Sequence, residues 1–369
     1  MKDFIPVCEP MFVGNEKKYV DECLDTNWIS SRGRFIEEFE KGLSGFLGVK
    51  EGVACCNGTT ALHLAVRALG IGEGDEVILP TFTMAACVNA VLFVGASPVF
   101  VDADKETWCM DCGKIEEKIT KKTRAIMAVH IYGHPSDMDV VMEVAQKHNL
   151  FVIEDAAEAH GAEYKGKKCG SIGDVGCFSF YANKIIMTGE GGMVVCNDSK
   201  IAEKMRSLRN MCFGEGAQRY LHTDLGFNYR MTNVQAAIGV GQIEKVEELV
   251  EARRKNALLY AKYLDIPGLI LPVEKDYAKN VYWMYGIVLD DSVKKSKEQV
   301  MEELKEKGID TRSFFVPLHK QPYLQKMLGS ESYPVAEWLG ERGLYLPSSS
   351  SLTEEDVKQV CEAVKEVLA

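Results

Sequence analysis

Between residue 51 and about residue 200, short runs of apolar and β-branched residues alternate with segments of helical periodicity. The runs are EGVACC, DEVILP, SPVFVDA, RAIMAVHIY, LFVIEDA, VGCFSF and GGMVVC. Most are separated by segments such as TTALHLAVRAL and MDVVMEVAQKH, whose apolar residues have the spacing of an amphipathic helix. Strands that are apolar along their whole length are typical of a parallel sheet covered on both faces. The alternation predicts an α/β protein with a mostly parallel, seven-stranded sheet.

The pattern changes after about residue 232, where the sequence becomes mainly helical. The segment 233–264 keeps the apolar spacing of a helix over many turns, and it predicts a helix that connects two domains without a flexible linker. A strand candidate, MYGIVLD, and two helix candidates, KEQVMEELKEKG and TEEDVKQVCEAVKEVL, follow. We therefore predict an amino-terminal arm and large domain over residues 1–245 and a smaller α+β domain over residues 246–369.

The charge balance of the chain argues against nucleic-acid binding. Asp and Glu (54) outnumber Lys and Arg (43), which gives a formal net charge of −11. An acidic chain without a run of Lys and Arg has no surface suited to a nucleic-acid backbone. The amino terminus, MKDFIPVCEP, lacks the apolar core of a signal peptide, and Asn89, Gly95 and Pro98 interrupt the longest apolar stretch. We therefore expect a cytoplasmic protein that does not enter a membrane.

The twelve cysteines are scattered along the chain. In a chain of this length without an export signal, we expect reduced thiols in the core. The segment CMDC (109–112) has redox spacing, but no second pair or nearby histidine completes a metal site. No metal centre is predicted.

The first strand run is followed by Asn57, Gly58, Thr59 and Thr60, which open a helix. The free N–H groups and the positive end of such a helix, together with two hydroxyls, form a cup suited to a phosphate. The same residue types also cap helices that bind nothing, so both interpretations stay open at this point. No Walker loop and no GxGxxG follows a strand, which argues against a nucleotide-hydrolysing or nicotinamide-dependent enzyme.

Two further strand runs end in residues that can carry chemistry. Glu154 and Asp155 close the fifth run, where an unpaired carboxylate would be costly, although a helix cap or a salt bridge would also explain them. The sixth run supplies Ser179, and Lys184 follows shortly before the glycine-rich turn GEGG. A lysine in such a place is most simply a solvated loop charge.

A phosphate cup, a strand-end carboxylate and a strand-end lysine together match the needs of pyridoxal phosphate. The aldehyde of this cofactor condenses with a lysine amine, its phosphate suits a helix start, and its pyridine nitrogen pairs with a carboxylate. We therefore predict pyridoxal phosphate as the cofactor, with Lys184 and Asp155 as the catalytic residues.

Six segments resemble one enzyme family. They are SFYANKIIMTGEGGMVV, VIEDAAEAHGA, NGTTALHLA, PTFTMAACVNAV, AVHIYGHPSDMD and FNYRMTNVQAAIG. The sequence resembles the nucleotide-sugar aminotransferases of the DegT/DnrJ/EryC1/StrS type over about residues 5 to 368, with the motifs in the expected order. The resemblance implies the aspartate aminotransferase-like fold, known as fold type I, and a homodimer with active sites shared between the subunits.

The resemblance also assigns roles to individual residues. Lys184 would bond to the cofactor and, once released, move the proton between carbons, while Asp155 would pair with the pyridine nitrogen. The remaining cofactor contacts would be Glu158 near the phenolic oxygen, Phe82 stacked on the ring, Gly58, Thr59 and Ser179 on the phosphate, and Asn228 reaching the phosphate from the neighbouring subunit. Phe82 could instead be a core residue, and Asn228 a turn residue.

One position separates two reactions within the family. Relatives that remove a sugar hydroxyl carry histidine where this chain has Lys184, so the resemblance favours transamination. The segments EPMFVGNEKKYVDECLDTNWISSRGRFIEEFE and FFVPLHKQPYL resemble the members that move an amino group from L-glutamate to C4 of GDP-4-keto-6-deoxy-mannose. Candidate contacts to the sugar nucleotide are Trp28, His319 and Tyr323, and Arg230 could bind a carboxylate or diphosphate or form an intersubunit salt bridge.

Two alternatives remain open from the sequence. The same chemistry could act on a UDP- or dTDP-linked ketosugar or on a cyclitol ketone. The chain could also be a regulator that binds the cofactor without turning over. The complete set of lysine, aspartate and phosphate-binding groups argues against a regulator.

Overall fold

The computed structural model describes residues 2–214, 216–329 and 331–369. The α-helices of these residues are α1 (Glu16–Asp25), α2 (Arg34–Leu47), α3 (Gly58–Ala68), α4 (Ala85–Phe93), α5 (Met138–His148), α6 (Ser199–Arg209), α7 (Asn233–Ile243), α8 (Val246–Tyr263), α9 (Lys297–Glu306), α10 (Pro322–Leu328), α11 (Pro334–Arg342) and α12 (Glu354–Leu368). The strands are β1 (Glu51–Cys55), β2 (Glu76–Pro80), β3 (Ser97–Val101), β4 (Thr123–Val129), β5 (Phe151–Asp155), β6 (Glu163–Tyr164), β7 (Lys167–Lys168), β8 (Val175–Ser179), β9 (Gly192–Cys196), β10 (Leu269–Ile270), β11 (Ala278–Lys279), β12 (Tyr285–Leu289), β13 (Arg312–Ser313) and β14 (Gly343–Leu346). None of the helices among these residues is long and apolar enough to cross a bilayer.

The largest sheet has seven strands in the order β1-β9-β8-β5-β4-β2-β3. Strand β9 runs antiparallel to both of its neighbours, whereas the pairs from β8 through β5, β4 and β2 to β3 are parallel. The α/β class, the seven strand runs and the mostly parallel sheet predicted from the sequence are confirmed.

Both faces of this sheet are buried, as the continuously apolar strands predict. Along β4, Ile126 belongs to a core that includes residues of α5, whereas its neighbours Ala125 and Met127 belong to the core on the opposite face, which includes residues of α3 and α4. Because strand side chains alternate between faces, each strand must be apolar at every position to serve both cores.

The connection between β8 and β9 positions the lysine singled out above. The two strands pair from Val175 opposite Cys196 to Ser179 opposite Gly192. Residues 180–191 therefore leave the sheet and return to it at one point. This point lies at the carboxyl ends of β5 and β8, the edge where α/β proteins place their ligands.

The carboxyl-terminal part forms a second sheet in the order β10-β12-β14-β13, with antiparallel pairing throughout. Its core includes Tyr260 of α8, Val300 of α9 and Val360 of α12. Ile5 also belongs to this core, and its N–H donates to the Gly308 carbonyl at 2.8 Å. We retain the division after residue 245 as a proposal that the separate core of the second sheet supports, although later residues such as Trp283 and Phe314 belong to the core of the large sheet.

The long helix expected over residues 233–264 is two helices in the structure. Helix α7 ends at Ile243 and α8 begins at Val246, because Lys245 has φ −122° and ψ 10°, outside the helical region. At Gly241, α7 lies so close to α1 that an added Cβ would come within 2.7 Å of the Glu16 side chain. The apolar spacing continues across the break, so periodicity alone could not reveal it.

Candidate active site

Residues from several strand ends line one cavity of about 450 Å³. Asp155 comes from the end of β5, Ser179 from the end of β8, and Gly58 from the start of α3, which follows β1. The carboxyl-terminal part of the chain also contributes to the lining. Its contributions are Trp283, Phe315 and Tyr345.

Lys184 lies inside this cavity with 10% of its side chain exposed, so it is not a solvated loop charge. Its Nζ is 3.5 Å from the centre of the Trp283 ring and 3.8 Å from Glu158 Oε1. Burial lowers the pKa of Lys184, and the carboxylates of Glu158 and Asp155 oppose that effect. A lowered pKa gives the neutral amine, which is the nucleophilic form, a larger share near neutral pH.

Glu158 is fixed beside this lysine. Its Oε2 accepts a hydrogen bond of 2.8 Å from the N–H of Tyr132, and the residue is 6% exposed. Burial raises the pKa of Glu158, and the charge of Lys184 works in the opposite direction. The two groups therefore share a buried site in which a proton can reside on either one.

Asp155 is held at both oxygens. Oδ1 accepts from the N–H of Ala157 at 3.0 Å, and Oδ2 accepts from the thiol of Cys87 at 3.0 Å. The hydroxyl of Thr83, which lies at the cavity wall, is 3.4 Å from the same sulfur. These contacts fix the orientation of a carboxylate that is 5% exposed.

The turn before α3 forms the cup expected there. Asn57 and Thr60 make reciprocal capping bonds of 2.9 and 3.2 Å, so the capping interpretation holds for these two residues. In the described part of the chain, the N–H groups of Gly58 and Thr59 have no acceptor and lie at the cavity. A Cβ on Gly58 would come within 2.7 Å of the Ser179 Cβ, so glycine keeps the cup open.

Glu154, the other acid at the end of β5, is structural. Its carboxylate accepts from the N–H groups of Gly170, Ile172 and Gly173 at 2.6 to 2.8 Å, and it bonds to His130 at 3.0 Å. Because strand side chains alternate, Glu154 points to the face opposite Asp155. The carboxylate is completely buried and fully partnered.

Two of the expected contacts lie away from the cavity. Phe82 is 1% exposed and packs against Tyr132, Phe314 and Phe315, so the structure supports its alternative interpretation as a core residue. His319 is 4% exposed, with its Nδ1 2.7 Å from the Thr81 hydroxyl.

The second ring nitrogen of His319, Nε2, is 3.1 Å from Glu337. Both nitrogens thus have internal partners, and a contact of His319 with a sugar nucleotide stays a prediction.

The remaining candidates lie outside this cavity as well. Trp28 is 55% exposed, and the Tyr323 hydroxyl donates to Asn89 at 2.8 Å. Arg230 bonds to Asn210 at 2.9 Å and lines a second cavity of about 700 Å³, and Asn228 is exposed two residues before it. Five arginines line this second cavity: Arg32, Arg206, Arg209, Arg219 and Arg230.

The sequence pattern that defines the DegT/DnrJ/EryC1/StrS aminotransferase family matches residues 11–365. The chain belongs to this family. It is an enzyme, an aminotransferase that depends on pyridoxal phosphate.

Curated relatives and a solved structure agree with this membership. The chain is 48% identical to the GDP-perosamine synthase of Caulobacter vibrioides, covering 99% of this chain and 98% of the relative. It is 46% identical to the GDP-perosamine synthase of Escherichia coli O157:H7, covering 98% of each. The solved structure of the putative sugar aminotransferase Spr1654 from Streptococcus pneumoniae, in its PLP form, superposes with a TM-score of 0.93 at 26% identity, covering 99% of this chain and all of that one. The predicted fold type I architecture is confirmed.

The residues of the cavity fit the cofactor of this family. The free N–H groups of Gly58 and Thr59 at a helix start suit a phosphate, Asp155 suits a ring nitrogen that carries a proton, and Lys184 is a buried amine of lowered pKa. Cys87 and Trp283, which contact these groups, were not found from the sequence. The only available signal for Cys87 was its place four residues after Thr83 in the segment PTFTMAACVNAV, and no signal pointed to Trp283.

Proposed function

We propose that this aminotransferase moves the amino group of L-glutamate to C4 of GDP-4-keto-6-deoxy-D-mannose. The observation that carries the proposal is the near-half identity to two GDP-perosamine synthases over almost the whole of each chain. The cavity supports it, because the groups that this chemistry requires lie together there. The assignment of individual residues below is part of the proposal.

Lys184 would provide the amine that carries the cofactor and, when free, would accept and return the proton that moves between carbons. When bound, pyridoxal phosphate supplies an electrophilic carbon and a ring that withdraws electrons from the carbon losing its proton. The lowered pKa of Lys184 suits both tasks, since each requires a neutral amine at some stage.

Asp155 would keep a proton on the ring nitrogen through its charge. The Ala157 N–H and the Cys87 thiol hold this carboxylate in one orientation. Glu158 would lie beside the reacting amine and hold a proton when Lys184 does not, since the two groups share one buried site. Gly58, Thr59 and Ser179 would bind the phosphate from the cup.

We further propose that the active unit is a homodimer whose sites are shared. Asn228 and Arg230 do not line the cavity of their own chain, whereas they lie at or near the arginine-rich second cavity. A group of arginines suits the diphosphate of a nucleotide sugar. In this arrangement, Asn228 of one subunit would reach the phosphate cup of the other.

Side-by-side kinetics with GDP-, UDP- and dTDP-linked 4-keto-6-deoxy sugars and a cyclitol ketone would test the substrate. With L-glutamate as donor, we expect kcat/KM to favour the GDP sugar by roughly tenfold or more. The Lys184→Ala variant should neither retain the cofactor after borohydride reduction nor turn over, whereas Lys147→Ala, at an exposed ion pair, should behave as the wild type.

Two results would contradict this proposal. Preference for a UDP or dTDP sugar or for the cyclitol ketone would reassign the substrate and keep the chemistry. If the loaded wild-type enzyme did not convert L-glutamate to 2-oxoglutarate, the non-catalytic regulator would be the better interpretation.

A further inference from the structure

The ammonium form of Lys184 has an unusual partner in the cavity. Its Nζ is 3.5 Å from the centre of the Trp283 ring, well within the distance at which a cation is attracted to an aromatic face. The carboxylate of Glu158, at 3.8 Å, is beyond hydrogen-bond distance. Among the described residues, the Lys184 Nζ is thus closer to the centre of the Trp283 ring than to the Glu158 carboxylate.

The same indole also fixes the backbone next to the lysine. The Nε1–H of Trp283 donates to the carbonyl of Asn183 at 2.8 Å, and Asn183 directly precedes Lys184. The Trp283 side chain therefore contacts both the backbone next to Lys184 and the charged end of the Lys184 side chain.

Trp283 is itself held rigidly. It is 3% exposed, and its carbonyl accepts from the buried guanidinium of Arg253 at 2.8 Å. Gly133, with φ +102°, packs against its backbone, and an added Cβ there would come within 2.9 Å of the backbone nitrogen of Trp283. The indole is therefore a fixed surface and not a side chain that adapts to the lysine.

We propose that Trp283 is a positioning residue that docks the ε-amino group of Lys184 whenever this group is not bonded to the cofactor. The inference rests on the proposed function, in which Lys184 carries the cofactor. An aromatic face stabilises a cation without a directional hydrogen bond. The amine can therefore leave the indole toward the cofactor without first breaking a directional hydrogen bond, since Glu158 at 3.8 Å is beyond hydrogen-bond distance.

The charge of Lys184 responds to several groups besides the indole. Burial favours the neutral amine, while the nearby acidic groups favour the ammonium. The groups that face the amine or its support are Asp155 at the end of β5, Glu158 and His160 after it, Cys87 of α4, Cys8 of the amino-terminal arm, and Tyr345 and Arg253 of the carboxyl-terminal part. A test must change the indole and leave these groups in place.

The experiment is competitive labelling of the full-length protein, freed of cofactor, with trace acetic anhydride across a pH series. Mass spectrometry of the peptide that contains Lys184 gives the midpoint pH at which its amine becomes reactive. The variants are Trp283→Leu, which removes the aromatic face, and Trp283→Phe, which keeps a weaker face and loses the N–H. Trp338→Leu is the matched control, because this indole lies outside the cavity with Lys105 5.3 Å from its ring.

We expect the midpoint to fall by about one pH unit in Trp283→Leu and by less in Trp283→Phe. The direction follows because loss of the face destabilises the ammonium, so the amine loses its proton at lower pH. Trp338→Leu should keep the wild-type midpoint. A Trp283→Leu midpoint equal to that of the wild type would overturn the proposal.

If Trp283→Leu does not fold, Trp283→Phe decides alone, and an unchanged midpoint there would also overturn the proposal. The measurement uses no sugar or amino donor. Its outcome is therefore separate from that of the substrate assays, and either proposal can fail while the other stands.

Discussion

Cys87 shows how a single buried thiol can orient a carboxylate that we propose to be catalytic. It lies on α4, is completely buried, and donates to Asp155 across 68 positions of sequence. A thiol is a weak donor. It can therefore orient Oδ2 while leaving most of the negative charge available for a protonated ring nitrogen.

Replacing Cys87 should affect turnover through Asp155. In Cys87→Ala, one carboxylate oxygen loses its partner, and we expect the rate of the glutamate half-reaction to fall by about tenfold, as loss of a hydrogen bond to a charged group predicts. Cys87→Ser restores a donor and should recover most of the rate. Stopped-flow absorbance of the loaded enzyme would measure both.

Cys361→Ala is the control for this comparison, because Cys361 is buried in the carboxyl-terminal core and should lose only stability on truncation. A Cys87→Ala enzyme with the wild-type rate would show that Asp155 does not need the thiol.

At this scale, sequence reasoning found the residues whose chemistry is evident from type and position. Asp155 and Ser179 end strands, and Lys184 follows one. The carboxyl ends of these strands meet at one edge of the sheet, so the convergence of the three residues could be predicted. Trp283 could not be found, because its bond to Asn183 joins positions 100 apart, and nothing local marks either partner. The partners of His319, Thr81 and Glu337, could not be predicted, because a histidine in a loop has the same local sequence whether it binds a ligand or other side chains.

At the scale of elements, the cup at the start of α3 depends on how closely this helix approaches β8. Gly58 and Ser179 are in contact there, and Gly192 of β9 lies so close that an added Cβ would come within 2.2 Å of the Asn57 carbonyl. The cup is therefore formed by three chain segments that approach closely at these two glycines, where a side chain would not fit.

Gly58→Ala should narrow this cup and weaken cofactor binding. The new Cβ would meet Ser179, and displacement of even one hydrogen bond to the phosphate predicts a loss of affinity of about tenfold or more. Titration of the cofactor-free protein with pyridoxal phosphate, followed by absorbance, would measure the change.

Gly45→Ala provides the comparison, since this exposed glycine of α2 has no atom near an added Cβ. It should keep the wild-type affinity and gain about 0.5–1 kcal/mol in the free energy of unfolding. If the Gly58 and Gly45 variants bound pyridoxal phosphate with equal affinity, the cup would not be the phosphate-binding site.

Among the strands, sequence patterns identified every strand of the large sheet but only one of the smaller sheet. All seven strands of the large sheet were predicted, because each is an uninterrupted apolar run between turn residues. Of the smaller sheet only β12 was predicted. No period can be read from the two residues of β10 or of β13, and the four-residue β14 was also missed. The break between α7 and α8 lies at Lys245, whose backbone is not helical, and the apolar periodicity of 233–264 does not show it.

At the scale of the whole molecule, one chain provides only part of the proposed site. Lys184 and the phosphate cup line one cavity, whereas Arg230 lines another. If two subunits bring these surfaces together, each dimer contains two composite sites.

Mixing two inactive variants should then restore activity. Lys184→Ala and Asn228→Ala would each be severely impaired as homodimers. Random reassociation makes half of the dimers mixed, and each mixed dimer has one intact site, so roughly a quarter of the wild-type activity should return. Native mass spectrometry would confirm the mixed species, and their presence without recovered activity would contradict shared sites.

The antiparallel strand β9 has a consequence for how far the reactive amine can travel. Ser179 and Gly192 pair at the two ends of the segment 180–191, which contains Lys184, so the sheet holds both ends of this segment together. With the backbone held in this way and at Asn183, the distance that the amine can move is set mainly by the four methylene groups of the Lys184 side chain. Any second position of the amine must therefore lie within reach of this side chain, as the Trp283 indole does.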